Sequence, residues 1–328
     1  MPGIRLPSTE DLSVTYRTSY GSVHNALTSL VKEGLVERLH GSGTYVAQSK
    51  TSEITCYGLY YVGNLWANED ATFTRSVHNA LVEKLGNLKK STRIFIDTRP
   101  ASEHPEVLPA LREAVNNREI QGLIAPIVNQ WVFPALNKLP LPSAFIAADP
   151  IPNRISLEMR GFWLESVRRL AAQGCRSVGL IIPNLTPSFC DGLREALELT
   201  KMVTRDDWVR RPAQFTPKLA EYGYLEFQKL WALPEKPDGL IVWPDSIARG
   251  VITAVLEAGV RVPEQIKFVI HRNAHFDLLC PFPATFGISD EGAMADGLIQ
   301  LVERQFRGEK VSEILIPYSF EETTAATD

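Results

Sequence analysis

Residues 23–46 read VHNALTSLVKEGLVERLHGSGTYV and change from a helical period to a strand period partway along. Apolar side chains recur first at helical spacing, at Val23, Ala26, Leu27, Leu30 and Val31. Gly34 follows, where a glycine commonly ends a helix. Two short β-rich runs then flank the glycine turn His40-Gly41-Ser42-Gly43. The stretch therefore predicts a helix followed at once by a β-hairpin.

A second helical segment precedes this stretch. Ser8 can cap that helix, and Thr18 or Ser19 can cap the next one. Helix, helix and hairpin in this order are typical of the final part of a winged helix-turn-helix, whose second helix presents its N-terminal residues to the DNA major groove. We therefore expect a DNA-binding domain at residues 1–47, followed by a polar linker at residues 48–53.

The side chains that could reach DNA lie in the first turns of the second helix, in the wing and at nearby basic positions. The candidate DNA-binding residues are Arg5, Ser8, Arg17, Ser19, Tyr20, Ser22, His24, Asn25, Arg38, His40 and Ser42. Within this set, Tyr20, Ser22, His24 and Asn25 are candidates for base edges. Arg5, Arg17, Arg38 and His40 are candidates for phosphates.

From residue 54 onward, short β-rich runs alternate with helix-length segments, which predicts an α/β fold with parallel sheets covered on both faces. The runs are Thr55–Val62, Arg93–Ile96, Gly122–Ala125, Ser143–Ala147, Val178–Ile182, Gly239–Trp243 and Lys267–Ile270. Seven strand-helix units are more than one ordinary doubly wound sheet contains. We therefore divide residues 54–328 into two lobes near residue 158. Lobe one is expected at about 54–158 and 288–312, and lobe two at about 159–287 and 313–328. A ligand is expected between the carboxyl ends of the strands of the two lobes.

Composition excludes several classes of protein. The chain has 328 residues, 45% of them hydrophobic, with a net charge of −4, so it is neither disordered nor a polycation. Its four cysteines are far apart and have no histidine at metal-ligand spacing, so we expect no metal, no disulfide framework and no cofactor. No apolar run approaches the length of a membrane span and no signal peptide is evident, so a cytoplasmic protein is expected.

The first 47 residues resemble the GntR-type winged helix. The resemblance rests on residues 2–8, Leu12, Ser19, Val23, Ala26-Leu27, Leu30, residues 33–36 and residues 41–46. It implies binding to double-stranded operator DNA, and a palindromic operator implies a homodimer.

Two departures from that family leave an alternative open. Glu10, Tyr20 and His24 stand where the family usually has arginines, and residues 1–50 carry five Lys or Arg against four Asp or Glu. The helix that precedes Pro-Gly in the family is absent from the numbered sequence, so either translation starts upstream of Met1 or the DNA-binding domain is incomplete. The alternative is a ligand sensor whose N-terminal module no longer binds DNA.

The remaining residues are similar to the sugar-sensing domain of LacI-type repressors, itself similar to periplasmic binding proteins. The similarity rests on residues 172–174, 178–181 and 239–241, on Pro244-Asp245, and on residues 255–263 and 281–285. A GntR-type domain joined to a LacI-type sensor resembles the arabinose-repressor type of architecture, in which a bound sugar weakens operator binding. The resemblance therefore implies a transcription regulator controlled by a small carbohydrate-like effector.

Sugars bind to flat apolar walls and to planar polar groups, which are found here at several predicted strand ends. The candidate ligand-binding residues are Trp66, Asp70, Phe73, Trp131, Asp149, Trp243, Asp245, Arg272 and Asn273. Phe189 stands where many relatives carry a ligand-binding arginine, and Arg272 stands where they have an aspartate. Arg272 could therefore favour an acidic sugar, or it could pair with Asp245 or Asp277.

An enzyme is the competing class. Asp149, Glu158, Asp245 and His271 could face one cleft as catalytic groups do. No Ser or Cys lies in a nucleophile motif, however, and no phosphate-binding glycine loop is present. We therefore expect no catalytic activity.

Overall fold

The computed structural model describes residues 4–32, 35–39, 41–46, 53–63, 71–128, 131–147, 150–183, 191–212, 218–311 and 313–323. The chain divides into two compact units, residues 1–53 and residues 54–328. Among the helices described, none is both long enough and apolar enough to cross a membrane.

The first unit contains the expected helix, helix and hairpin. These elements are α1 (Thr9–Thr15), α2 (Tyr20–Lys32), β1 (Val36–Leu39) and β2 (Gly43–Val46). The two strands pair antiparallel. The small core is formed by Val23 and Leu27 of α2 and Val36 of β1, which are buried. The winged-helix order expected from the sequence is confirmed.

The segment before α1 lies against the hairpin, which the sequence did not indicate. Arg5 forms an antiparallel bridge with Tyr45, and the backbone N–H of Leu6 donates to the carbonyl of Thr44 at 2.8 Å. Residues 4–6 thus add a third strand-like segment to the wing.

The second unit contains twelve of the strands and eight of the α-helices in the described part of the chain. The strands are β3 (Cys56–Val62), β4 (Ser91–Asp97), β5 (Gly122–Ala125), β6 (Ser143–Ile146), β7 (Arg154–Leu157), β8 (Val178–Ile181), β9 (Val209–Arg210), β10 (Gly239–Val242), β11 (Lys267–Asn273), β12 (Ala284–Ser289), β13 (Glu313–Ile316) and β14 (Ser319–Thr323). The helices are α3 (Thr72–Asn87), α4 (Pro109–Asn116), α5 (Phe133–Leu136), α6 (Met159–Ala172), α7 (Asp191–Thr200), α8 (Leu219–Trp231), α9 (Asp245–Glu257) and α10 (Glu291–Phe306).

These strands form two six-stranded sheets, in the orders β13-β7-β6-β5-β3-β4 and β14-β12-β11-β10-β8-β9. The strand pairs are parallel, except that β12 and β14 pair antiparallel. The first sheet carries buried apolar clusters built around Leu81 and Leu298 on one face and around Phe95 and Leu111 on the other. The second sheet likewise has one buried apolar cluster on each face. The two-lobed α/β architecture is confirmed.

The chain crosses between the sheets three times. The first two crossings are at Glu158, between β7 and α6, and at Asp290, between β12 and α10. The third is at Pro317-Tyr318, between β13 and β14. The backbone N–H of Glu158 donates to the carbonyl of Ile316 at 2.9 Å, which ties the first crossing to the third.

This topology corrects two of the expected lobe boundaries. Residues 313–316 pair with β7 and belong to the first sheet, because the chain adds one more parallel strand after α10 before it crosses back. Residues 288 and 289 end β12 and belong to the second sheet. The boundaries therefore fall at the crossings, near residues 290 and 317.

Candidate functional site

The N-termini of both helices of the first unit are fixed by serine caps. Ser8 Oγ accepts from the backbone N–H of Asp11 at 3.1 Å, and the backbone N–H of Ser8 donates to the Asp11 carboxylate at 3.2 Å. The Ser8 hydroxyl also donates to the Asp11 carboxylate at 2.7 Å, and this bond, with the one from the Ser8 N–H, lowers the pKa of Asp11. Ser19 Oγ accepts from the backbone N–H of Ser22 at 3.1 Å. Two candidate DNA-binding hydroxyls thus already serve as helix caps.

The first turns of α2 expose a small aromatic surface. The Tyr20 side chain is 59% exposed. The rings of Tyr20 and His24 stack with centroids 6.3 Å apart and planes inclined by 15°. Ser22 and Asn25 are also exposed on this helix. The structure therefore brings the candidate base-contacting residues together at one end of α2.

The wing is connected to this end of α2 through Arg38. Its Nη2 donates to the backbone carbonyl of His24 at 3.3 Å. On β2, a Cβ at Gly43 would lie only 2.8 Å from the Arg5 Nε, and Gly43 has a φ of +134°. The absence of a side chain at Gly43 thus lets Arg5 lie across the wing.

The remaining DNA-binding candidates of this unit are Ser42, Arg17 and His40. Ser42 Oγ lies 2.7 Å from the Tyr45 hydroxyl, so the hydroxyl already has a partner within the wing. Arg17 has a φ of +49° in the turn between the two helices. His40 lies outside the described residues.

In the second unit, four residues form a closed ring of hydrogen bonds at the carboxyl ends of β10, β11 and β12, and Asp245 takes part through its backbone N–H as well as its carboxylate. The Asp245 N–H donates to His271 Nδ1 at 3.3 Å, and His271 Nε2 lies 3.1 Å from Ser289 Oγ. Ser289 Oγ donates to Asn273 Oδ1 at 2.7 Å, and Asn273 Nδ2 donates to Asp245 Oδ2 at 2.7 Å. Because Nδ1 accepts, Nε2 carries the proton in this assignment.

This polar ring, composed of Asp245, His271, Asn273 and Ser289, is buried. Burial lowers the pKa of His271 to about 4, against the opposing influence of the Asp245 charge, so the imidazole is neutral at pH 7. Asp245 Oδ2 also accepts from the Asn273 N–H at 3.2 Å. The second oxygen, Oδ1, accepts no hydrogen bond from the described residues. Asp245 is therefore held in one orientation with one oxygen available.

Aromatic side chains surround the polar ring. The Trp243 ring lies 5.4 Å from His271, and the Tyr318 ring lies 5.8 Å from it. Trp243 Nε1 donates to the Tyr318 hydroxyl at 3.3 Å, which in turn lies 3.2 Å from Met159 Sδ. Tyr318 belongs to the third crossing, so the aromatic cluster joins the candidate ligand site to the hinge.

Arg272 does not face this site. Successive side chains of a strand point to opposite faces, and on β11 His271 and Asn273 share one face while Arg272 lies on the other. Its Nη2 donates to Glu321 at 3.2 Å, and its guanidinium lies 5.0 Å from the centre of the Phe286 ring. The expected pairings with Asp245 or Asp277 are wrong, and the acidic-sugar hypothesis that depended on Arg272 loses its support.

The candidates in the first lobe are less well defined. Phe73 is half-buried and packs against the core of the first sheet, which favours a structural role. Trp131 is 59% exposed after β5. Trp66, Asp70, Asp149 and Phe189 lie outside the described residues.

Sequence reasoning missed Ser289 and Tyr318 and considered His271 only as a catalytic group. The alternation of β11 could have placed His271 beside Asn273. No sequence signal indicated that Ser289, which follows Asn273 by sixteen residues, lies next to it, because the pairing depends on the register of β11 against β12.

Comparisons with known proteins agree with this architecture. Residues 1–46 match bacterial regulatory proteins of the gntR family, and residues 167–320 match a periplasmic binding protein-like domain. The HTH-type transcriptional repressor PurR of Haemophilus influenzae (strain PittEE) is 29% identical over 114 residues, which cover 34% of this chain and 33% of that protein. PurR of Actinobacillus pleuropneumoniae serotype 3 is 25% identical over 114 residues, with the same two shares. The match thus spans about a third of the length of these curated relatives.

Solved structures share the fold at low sequence identity. A LacI family transcription regulator from Clostridium acetobutylicum is 18% identical, with a TM-score of 0.64, over 81% of this chain and 98% of that one. The transcriptional regulator CelR in complex with cellobiose is 14% identical, with a TM-score of 0.65, over 98% and 100%. Both proteins are transcription regulators. The chain therefore combines an N-terminal segment that matches the gntR family with a domain that matches periplasmic binding proteins and shares the fold of LacI-family regulators.

Proposed function

We propose that this protein is a transcription regulator that binds operator DNA through residues 1–47 and binds a small carbohydrate-like effector in residues 54–328. The observation that carries the proposal is the exposed end of α2, where Tyr20, Ser22, His24 and Asn25 lie together beside the wing. An α-helix presented in this way fits the major groove, and a wing can contact the adjacent backbone. The effector class is supported by the solved CelR structure, which contains cellobiose.

The topology of the second unit supports the proposed effector control. The polar ring and the aromatic cluster lie at strand ends next to the crossings, where a ligand can contact groups of both lobes. A ligand that binds more tightly to one arrangement of the lobes shifts the protein toward it. We propose that this shift changes the spacing of the DNA-binding domains in a homodimer, and with it the operator affinity.

Selection of DNA from a random pool with the full-length protein, followed by fluorescence anisotropy on the selected duplex, tests DNA binding. Residues 1–50 carry a net charge of only +1, so we expect specific binding with a shallow dependence on salt. Repeating the titration with a panel of mono- and disaccharides tests effector control. A protein that binds carbohydrate but binds selected and random duplexes equally at every salt concentration would be a sensor with a non-DNA-binding N-terminal module, the alternative that the missing arginines favour.

A further inference from the structure

The surface formed by Tyr20 and His24 differs from an ordinary exposed helix end. Both rings lie on one flank of α2, one turn apart, and are almost parallel. Tyr20 leaves more than half of its surface in water. Covering an exposed aromatic surface of this kind with an apolar group is favourable, because it removes apolar surface from water.

The position of the stack is fixed from two sides. Ser19, the residue before Tyr20, caps α2 and so fixes where this helix begins. The Arg38 guanidinium holds the carbonyl of His24 at the other end of the stack. Both contacts connect to the backbone of α2, so the rings are presented by an ordered turn and not by a loose chain end.

The charge pattern of α2 narrows what this surface can recognise. In the sequence of α2 the only Lys or Arg is Lys32, in the last turn. Guanine presents two acceptors in the major groove that are best met by a guanidinium or an ammonium, whereas the thymine C5-methyl is the apolar group on the major-groove edges. The neighbouring Asn25 carries the amide that suits adenine, the partner of thymine.

We propose that the stacked Tyr20 and His24 rings contact thymine C5-methyl groups, so that this protein recognises A·T base pairs where an arginine-bearing helix would recognise guanine. The inference depends on the proposed DNA-binding function and adds the class of base that α2 reads. The tyrosine contributes its ring and not its hydroxyl to this contact.

The test uses the full-length protein and the duplex that it selects from a random pool. Each thymine is replaced in turn by uracil, which removes only the methyl group, and each guanine by 7-deazaguanine, which removes only N7. We expect uracil at one or two positions per half-site to weaken binding about fourfold each, the factor for exposing one methyl-sized apolar group. We expect 7-deazaguanine to have little effect under α2.

Variants assign the effect to the rings. Tyr20→Ala and His24→Ala should each bind thymine and uracil duplexes nearly equally at the affected positions, whereas Tyr20→Phe should keep the wild-type ratio. Lys32→Ala is the matched control on the same helix and should change both affinities by the same factor.

The possible failures are distinguishable. Uracil without effect, or loss of the ratio in Tyr20→Phe, would overturn the thymine-methyl contact while specific binding stands. A large effect of 7-deazaguanine under α2 would overturn the preference of this helix for A·T pairs. If no duplex is preferred over random DNA, the proposed DNA-binding function itself fails, and the inference fails with it.

Discussion

At the scale of single residues, the polar ring of the second unit joins buried groups through specific hydrogen bonds. In the polar ring, Asp245 Oδ2 accepts two hydrogen bonds from Asn273, and Oδ1 accepts none from the described residues. Ser289 takes part in the same ring but touches Asp245 only through its neighbours. Substituting Asp245 and Ser289 one at a time therefore distinguishes the proposed ligand-binding role of the ring from its structural role.

Asp245→Ala should lower effector affinity at least tenfold, because a carboxylate that accepts from sugar hydroxyls contributes roughly 1.5–3 kcal/mol. Ser289→Ala should lower stability by about 1–2 kcal/mol, since it leaves buried partners unsatisfied, but should change effector affinity much less. Calorimetric titration with the best carbohydrate from the panel, together with thermal melting, measures both quantities. Equal loss of affinity in the two variants would show that Asp245 acts only through the integrity of the ring.

A second buried charge lies at the end of β4. Burial alone would raise the pKa of Asp97, but hydrogen bonds from Arg99 and Tyr60 outweigh it and lower that pKa to about 2. The ordinary aspartate pKa is about 3.9. The pair therefore contributes stability that is complete above about pH 4 and is lost as the pH falls toward 2.

Arg99→Ala should destabilise the protein by about 3–5 kcal/mol at pH 7, because it leaves a buried carboxylate without its partner. The deficit should shrink as the pH falls toward 2, where Asp97 becomes protonated in both proteins. Urea denaturation across this pH range measures it. Arg168→Ala, which breaks the exposed pair with Glu165, is the control and should cost less than about 1 kcal/mol. A deficit for Arg99→Ala that does not vary with pH would contradict the assignment.

At the scale of elements, the serine caps decide where the two helices of the first unit begin. Ser8 forms a complete capping box with Asp11. In the described part of the chain, α1 has no buried residue, so local capping is a large share of what stabilises it.

Ser8→Ala should therefore increase hydrogen exchange of the α1 amides about fivefold, the factor for a cap of about 1 kcal/mol. Ser13→Ala, which removes a hydroxyl bonded only to the Glu10 carbonyl of the same helix, should leave exchange nearly unchanged. Hydrogen–deuterium exchange with mass spectrometry resolves the segment. The same exchange rate in both variants would mean that α1 is held by something other than its cap.

The elements also show what sequence reasoning could and could not predict. Each of the seven predicted β-rich runs coincides with a strand, because a buried parallel strand is a continuous apolar run. The strands β7, β9, β12, β13 and β14 were missed. β9 has only two residues, Val209–Arg210, and β14, Ser319–Thr323, is largely polar. In the buried strand β12, Thr285, Gly287 and Ser289 interrupt the apolar run. The glycine turn and the helix spacing of residues 23–46 were sufficient for the winged-helix order.

The candidate site was predicted less well than the fold. Asp245, Asn273 and Trp243 lie together as expected. Arg272 does not, because a difference of one position on a strand reverses the face to which a side chain points. The contribution of Ser289 and Tyr318 depends on strand register and on the third crossing, and neither is visible in a linear pattern.

At the scale of the whole molecule, the three crossings are the points about which the two lobes can move. Glu158 and Asp290 each accept from a backbone N–H in the first turn of the helix that follows, at 2.7 and 3.0 Å. Both helices therefore begin at the crossings as ordered elements, and we expect a motion of the lobes to be confined to a few backbone torsions between them.

A bound effector should make the protein more compact, because contacts with both lobes favour the closed arrangement. Small-angle scattering of the full-length protein with and without the best carbohydrate measures the radius of gyration, which should fall on binding. Asp245→Ala at the same carbohydrate concentration should show no change. A carbohydrate that alters DNA affinity without any change in scattering would contradict the closure mechanism.

The interleaving of the two sheets also limits how such a protein can acquire a new effector. The first sheet takes five strands from before residue 158 and its edge strand β13 from after α10. A single exchange between two related genes, with its junction between residues 158 and 290, would join β13 of one parent to a first sheet inherited from the other. A lobe can be transplanted intact only with a junction at each of the three crossings, so chimeras with a single junction between residues 158 and 290 should misfold more often than those with a single junction at residue 53.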